Sequence, residues 1–257
     1  MSDSTTHRDA ILDQFTRQAI PFATAASIKD EAALRMVIEF SGAGAGDTVL
    51  DVACGPGILA CAFAKVARHV TGIDLTPAML DRARTLQNEQ GLTNLTWQQG
   101  DVLPLPYADQ SFTLVVSRFA FHHLIDPGAV LKEMSRVCAP GGTVMVIDSA
   151  PAPAKADAFN QMEILRDPSH VRALPVAEHI RLFRAAGLGE PRQAFYRLEG
   201  ELESLLARSF PKPGDADKIR ALFAASLTDD ALGIETRKIG ERYHYGFPVA
   251  VLAAHRP

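Results

Sequence analysis

The stretch whose residue types and spacing suit chemistry is Val49-Leu-Asp-Val-Ala-Cys-Gly-Pro-Gly57. Gly55 and Gly57 permit a tight turn and close approach of a ligand to the backbone. Asp74 ends the next apolar run, 19 residues after Gly55. A carboxylate there can accept two hydrogen bonds from a ribose diol, each worth about 1.5–3 kcal/mol when charge-assisted. The implied ligand carries an adenosine-like ribose and lies across the carboxyl ends of parallel strands.

Two ligand classes compete for such a loop. Gly55-Pro-Gly-Ile-Leu-Ala60 also fits G-x-G-x-x-A, the dinucleotide fingerprint of a nicotinamide-dependent dehydrogenase. Three features point away from it. Asp51 lies four residues before the first glycine, where it repels a pyrophosphate. Pro56 removes an amide from a loop whose amides should cradle phosphate. Asp101 follows Gly100 at the end of a third apolar run, where an acid meets an exocyclic amine. Together these suit a ligand with a cationic amino-acid tail, a ribose and an adenine, and no phosphate. That ligand is S-adenosyl-L-methionine, whose spent form is S-adenosyl-L-homocysteine.

The elements that position these residues follow from periodicity. Residues 48–53, 69–74, 94–99, 111–117 and 143–148 are short, β-branched apolar runs and read as strands. Helical patterns over 57–67, 77–90 and 127–137 separate them. Thr76-Pro77 and Asp126-Pro127 supply N-caps with proline at the first helical position, and Pro140-Gly-Gly142 a turn. This alternation predicts a parallel sheet covered on both faces. Two helices, 8–19 and 28–40, precede it. After the stiff Ala150-Pro-Ala-Pro153 come helices 156–166 and 176–186, a strand at 192–198, helical pattern to about 225, and a last strand at 246–254. Pro248 suits the start or edge of that strand better than its middle.

The chain has 257 residues, 47% hydrophobic and 22% charged, with net charge −4. These values suit one globular domain and exclude general disorder. No basic excess is available for nucleic acid. Cys54, Cys61 and Cys138 are odd in number and form no CxxC pair, so neither a disulfide framework nor a metal site is expected. The polar N-terminus has no apolar signal core, and no run of 18 apolar residues exists. The expectation is a cytoplasmic protein, monomeric or homodimeric, with no membrane partner.

In this sequence Val49–Gly57, Gly72-Ile-Asp-Leu-Thr-Pro-Ala-Met-Leu80, Gly100-Asp-Val-Leu-Pro-Leu-Pro106, Asp109-Gln-Ser-Phe112, Phe121-His-His-Leu124 and Arg136-Val-Cys-Ala-Pro-Gly-Gly142 run in order. The set resembles the class I S-adenosylmethionine-dependent methyltransferases, in the branch of the ubiquinone/menaquinone C-methyltransferases. Arg166-Asp-Pro-Ser-His-Val-Arg172 is similar to uncharacterised bacterial members of that branch. The resemblance implies an α/β fold: a Rossmann-like, seven-stranded, mostly parallel sheet with helices on both faces, an N-terminal helical lid (1–40), a cofactor-binding core (45–149), and a helical insert after the fifth strand within a substrate-side region (150–245). It implies that Asp51 and the backbone of Ala53 and Gly55 face the methionine amino end, and that Gly57 lets the cofactor approach. Asp74 would take the ribose, and Leu75 and Met79 flank the adenine. Asp101 and Val102 would meet the adenine's amino edge, with Ser117 under the methionine. Phe15-x3-Ala19-x2-Phe22 looks like the lid motif, with Phe22 where Tyr is common. Ala139 replaces the Lys of the quinone enzymes and their Tyr-Asp-x-Met-Asn signature is absent, so quinone substrates are not carried over.

His122 and His123 follow the fourth strand, where a base or an acceptor-orienting group would sit; the plainer reading has one capping the loop and the other packing. Arg166, His170 and Arg172 are candidates for binding an acidic acceptor. The function expected is methyl transfer to a small-molecule acceptor by in-line displacement, at an O, N or C atom. Alternatives are a protein of the same fold that binds S-adenosylmethionine without transferring methyl, and the dehydrogenase.

Overall fold

The structure, a computed structural model, describes residues 2–25, 28 and 30–257, with backbone alone at 2–5 and 24. Alternation inside the apolar runs sets its layers. β1 (Thr48–Val52) turns Val49 to one face and Leu50 and Val52 to the other, and both faces are buried. One face packs Val49, Val116 and Ile147 with Phe63 and Phe159. The other packs Leu50, Val115 and Val146 with Leu131, Met134 and Phe183. Strands apolar on both sides need helices on both sides.

α1 (Ser2–Thr24) and α2 (Glu31–Ser41) precede β1. Then follow α3 (Ile58–Ala64), β2 (His69–Asp74), α4 (Pro77–Glu89), β3 (Leu95–Gln99), β4 (Phe112–Arg118), α5 (Pro127–Val137) and β5 (Cys138–Ser149). The rest is α6 (Ala156–Arg166), α7 (Val176–Ala185), β6 (Arg192–Glu201), α8 (Leu202–Ser209), α9 (Asp215–Asp229), β7 (Arg237–Ile239) and β8 (Arg242–His255). The sheet runs β3-β2-β1-β4-β5-β8-β6, with β7 paired to β8. β1 to β5 are parallel, and β8 is antiparallel to β5, β6 and β7. The chain lays β2 and β3 on one side of β1, then places β4 and β5 on the other. The carboxyl ends of β1 and β4 therefore border the switch point where α/β sheets bind ligands.

Several local expectations need correction. The sheet has eight strands among the described residues, not seven; three-residue β7 is too short to show a period. The expected turn at Pro140-Gly-Gly142 lies inside β5 as an irregularity, between the pairs Phe112–Cys138 and Leu114–Thr143. Thr76 caps α4 by position but makes no side-chain cap bond; Asp126 does cap α5, accepting from Ala129 N at 2.8 Å. Pro248 is inside β8, but one residue past the β5 ladder, which ends at Ser149–Val249, so that ladder loses no bond. The second helix starts at Glu31, where Asp30 Oδ1 accepts from Ala32 N at 2.9 Å; residue 29 of the expected span lies outside the described residues. The last helical stretch is two helices, α8 and α9. Among the described residues no helix is long and apolar enough to cross a membrane.

Candidate functional site

A cavity of about 430 Å³ opens at the carboxyl ends of β1, β2 and β4, against α1. The glycine loop forms one wall. Ala53, Gly55 and Gly57 are left-handed, at φ +56°, +53° and +75°. A Cβ at Gly55 would meet nothing within 4 Å, so the loop there faces open space. Gly57 differs: a Cβ would lie 2.6 Å from the Trp97 ring and 2.8 Å from Ala83 Cβ, and Gly57 is not on the cavity wall. Its small size serves packing of α3 against α4 and β3.

Asp74 shapes the loop as well as lining the cavity. Its Oδ2 accepts from Gly55 N and its Oδ1 from Thr76 N, both at 2.8 Å. Burial pushes its pKa up while those two amides lower it. Each oxygen keeps a further acceptor site. Leu75, Met79 and Val102 line the same cavity. Asp101 Oδ2 accepts from Arg8 on α1 at 2.7 Å, and its Oδ1 from Val102 N at 2.8 Å. Ser117 is off the wall: its hydroxyl donates to Val52 O at 2.9 Å and ties β4 to β1.

Asp51 is buried on the cavity wall, and its Oδ2 has no hydrogen-bond partner among the described residues. Burial pushes its carboxyl up to about 8, with Arg118 opposing and the Asp74 charge adding. Arg118 lines the same cavity, and its Nε is likewise buried without a partner. Its Nη2 donates to Ile28 O at 3.2 Å, and the guanidinium lies 4.6 Å above the Phe119 ring. An unpaired acceptor and an unpaired donor on residues lining one cavity match a ligand end carrying both an ammonium and a carboxylate. Arg118 was missed in the sequence, although it follows Ser117 at the end of β4. Cys54 is buried and its thiol pushed well up by burial, which makes it a poor nucleophile.

A smaller cavity, about 60 Å³, adjoins the first. Phe15, Phe22, Ile28, Phe119 and His123 line both. His122, Glu163, Arg166, Asp167, Arg208 and Tyr245 line only the smaller one. His122 Nδ1 donates to Asp148 Oδ1 at 2.5 Å, and its backbone N donates to Asp148 Oδ2 at 2.9 Å. Burial opposes charge on His122, but Asp148 outweighs it and the net shift is upward. His123 is pushed down to about 4, by burial and then by His122. Asp148 escaped the sequence reading; its place near the carboxyl end of the fifth strand was the available signal.

The three candidates for an acidic acceptor separate. Arg166 reaches the smaller cavity but is clamped by Glu163, with Nε–Oε1 at 2.7 Å and Nη2–Oε2 at 2.6 Å. His170 lies off both cavities and donates from Nε2 to Asn160 Oδ1 at 2.7 Å. Arg172 is at the surface, paired with Glu178. None offers an uncommitted cation for an acidic ligand.

α1 closes over both cavities. Arg8 reaches Asp101 at one end; at the other Gln14 donates to Ser209 O at 2.5 Å and Gln18 to Asp167 Oδ2 at 3.2 Å. His7 Nε2 donates to His123 O at 2.8 Å.

Known proteins share this chain's sequence pattern and fold. A methyltransferase domain family model matches residues 50–146. The uncharacterized methyltransferase YcgJ of Bacillus subtilis is 32% identical over 187 residues, 72% of this chain and 74% of that protein. The ubiquinone/menaquinone biosynthesis C-methyltransferase UbiE of Bdellovibrio bacteriovorus is 44% identical over 116 residues, 44% of this chain and 49% of that protein. In fold, the crystal structure of YcgJ superposes with a TM-score of 0.79 at 24% identity, covering 88% of this chain and 99% of that one. Geranyl diphosphate C-methyltransferase from Streptomyces coelicolor, solved with Mg2+, geranyl diphosphate and S-adenosyl-L-homocysteine, gives 0.61 at 19% identity, covering 89% and 79%. This chain belongs to the class I S-adenosylmethionine-dependent methyltransferases.

Proposed function

We propose that the chain transfers a methyl group from S-adenosylmethionine to a small-molecule acceptor, with the cofactor in the larger cavity and the acceptor's reacting end in the smaller one. The observation that carries this reading is the complementary pair of unsatisfied atoms, Asp51 Oδ2 and Arg118 Nε, on the wall of a cavity that a second cavity adjoins. The residues present fit the cofactor. Asp51 would hold its ammonium and Arg118 its carboxylate, Gly55 leaves room for its close approach, and Asp74 would take the ribose. Leu75, Met79 and Val102 would flank the adenine. When bound, the cofactor supplies a methyl group already activated by a sulfonium.

The protein's task is then alignment and exclusion of water, worth about 7–11 kcal/mol of the barrier. Phe15, Phe22 and Phe119, shared by the two cavities, form an apolar surround that favours dispersal of charge. α1, with its ties at both ends, acts as the lid of residues 1–40, residues 45–149 hold the cofactor, and residues 150–245 build the acceptor side.

Calorimetric titration with S-adenosylmethionine, S-adenosylhomocysteine and NAD tests the cofactor. Micromolar binding of the two sulfur ligands and none of NAD is expected; NAD alone would leave the dehydrogenase. Recovery of labelled methyl on a product separates transfer from binding alone.

A further inference from the structure

We infer that the smaller cavity takes a weakly acidic hydroxyl on a planar carbon, a phenol or an enol, and that its proton passes to His122 Nε2 while Asp148 acts as a positioning residue. The inference rests on the methyl-transfer reading above.

The tautomer comes first. Both oxygens of an ionised Asp148 are acceptors, so the hydrogen of the 2.5 Å bond belongs to His122 Nδ1. In the neutral ring, the form that can act as a base, Nε2 then carries the lone pair. His122 lines the smaller cavity, and nothing among the described residues hydrogen-bonds to Nε2. Asp148 fixes the ring and the backbone together, because Oδ2 accepts His122 N and Oδ1 also accepts Ser149 N at 2.7 Å. An imidazole oriented by a carboxylate, with its free nitrogen in a cavity, is built as a base.

The neighbouring histidines are not equivalent. His123 Nδ1 donates to Ser169 O at 3.0 Å, and His123 is pushed down to about 4. His170 is pushed down to about 2, by burial and then by the other two histidines. His179, on α7, is lowered by burial. His122 alone is raised: burial opposes it, Asp148 and Glu163 favour it, and Arg166 opposes it.

Charge and size select the acceptor. Arg166 and Arg208 are matched in the cavity by Glu163 and Asp167, so no positive surplus draws an anion. A neutral acceptor enters and must lose a proton to become a good nucleophile. At about 60 Å³ the cavity holds roughly four water-sized groups. Only the reacting end fits, and Phe22, Phe119 and Phe247 at its walls suit a flat group. The step balances. The acceptor's O–H proton moves to Nε2, and an oxygen pair forms the new O–CH3 bond. The methyl–sulfur bond breaks with its pair staying on sulfur, and the imidazolium returns its proton to water.

The test uses 4-nitrophenol, whose ionised form is yellow, and protein saturated with S-adenosylhomocysteine. Saturable binding should raise the phenolate band at a pH where the free phenol is protonated. His122→Gln should cut that band about tenfold or more, the effect of at least one pKa unit, with S-adenosylhomocysteine affinity unchanged. Asp148→Asn should move the band to higher pH, because His122 becomes a weaker base, and Asp148→Glu should move it part of the way back. Binding without the band, a band untouched in His122→Gln, or no saturable binding of 4-nitrophenol overturns the inference and leaves the cofactor reading intact. Failure of S-adenosylhomocysteine to bind overturns the methyl-transfer reading itself.

Discussion

Asp51 and Arg118 line the same cavity with complementary unpaired atoms, a buried carboxylate oxygen and a buried guanidinium Nε. A buried polar atom left unpaired costs about 1–3 kcal/mol, so a group that satisfies both atoms is expected to bind here. An α-amino acid end does so. Arg118→Gln is expected to weaken S-adenosylhomocysteine about tenfold or more. 5′-Methylthioadenosine, which lacks the amino-acid end, should stay within about twofold, since charge-assisted bonds are worth about 1.5–3 kcal/mol. Equal losses for both ligands, measured by calorimetry, would mean that Arg118 shapes the cavity rather than reading the carboxylate.

The Asp51 carboxyl, held at about 8 mainly by burial, is protonated in the free protein at pH 6.5. A bound ammonium needs it ionised, so cofactor binding at pH 6.5 should release close to one proton. Calorimetry in buffers of different ionisation heat reads this directly. The stability sign follows from the same shift. Between the ordinary carboxylate range and about pH 8 the folded chain holds a proton that the unfolded chain has lost, so stability falls as pH rises through that window. Asp51→Asn removes the penalty. It should raise Tm at pH 8 by about 2–4 °C or more, the shift for roughly 1 kcal/mol in a domain of this size, while weakening the cofactor. A variant that melts lower at pH 8, or binding without buffer dependence, contradicts the assignment.

Legibility in the sequence followed the physics of each feature. β1 to β4 and α4 to α6 were readable because apolar runs, proline at a first helical position and Asp126 act within a few residues. The glycine loop, Asp51, Asp74 and Asp101 were readable because their spacing is set by one strand–loop–helix unit. Arg118 and Asp148 were not, because the groups they act with lie on other elements: Asp51 on β1 and His122 after β4. The Arg166–Glu163 clamp is local to α6, but that it faces a cavity is set by α1 and the rest of the fold. Gly57 carries a second constraint that its motif position did not show: the motif suggested room for the cofactor's approach, and the structure adds the Trp97 ring, 40 residues on, which leaves no space for a Cβ.

Gly57→Ala therefore tests packing rather than binding. The left-handed backbone costs a residue with a Cβ about 1–2 kcal/mol, and overlap with the Trp97 ring adds roughly 1–3 kcal/mol. Chemical denaturation should show a loss of about 2–5 kcal/mol, with the affinity of the folded fraction for S-adenosylhomocysteine nearly unchanged. Gly55→Ala should show the opposite balance, a smaller stability loss and a clear loss of affinity, because its methyl enters open space on the cavity wall. Unchanged stability with lost binding in Gly57→Ala would return that residue to the ligand's surroundings.

The Arg8–Asp101 pair bears on ligand exchange rather than on folding. Both side chains are about half exposed, at 51% and 44%, and such pairs contribute about 0–1 kcal/mol to stability. Yet the bond ties α1 to the edge of the larger cavity, and a ligand enclosed there must wait for α1 to lift. Arg8→Ala should leave Tm within about 2–4 °C of the parent and speed release of S-adenosylhomocysteine several-fold in stopped-flow measurements. Salt supplies the internal control. The screening length falls from about 10 Å at 0.1 M to about 3 Å at 1 M, so added salt should speed release from the parent and have little effect on Arg8→Ala. Equal salt dependence in both proteins would show that this pair does not hold the lid, leaving Gln14–Ser209 and Gln18–Asp167 as the ties that do.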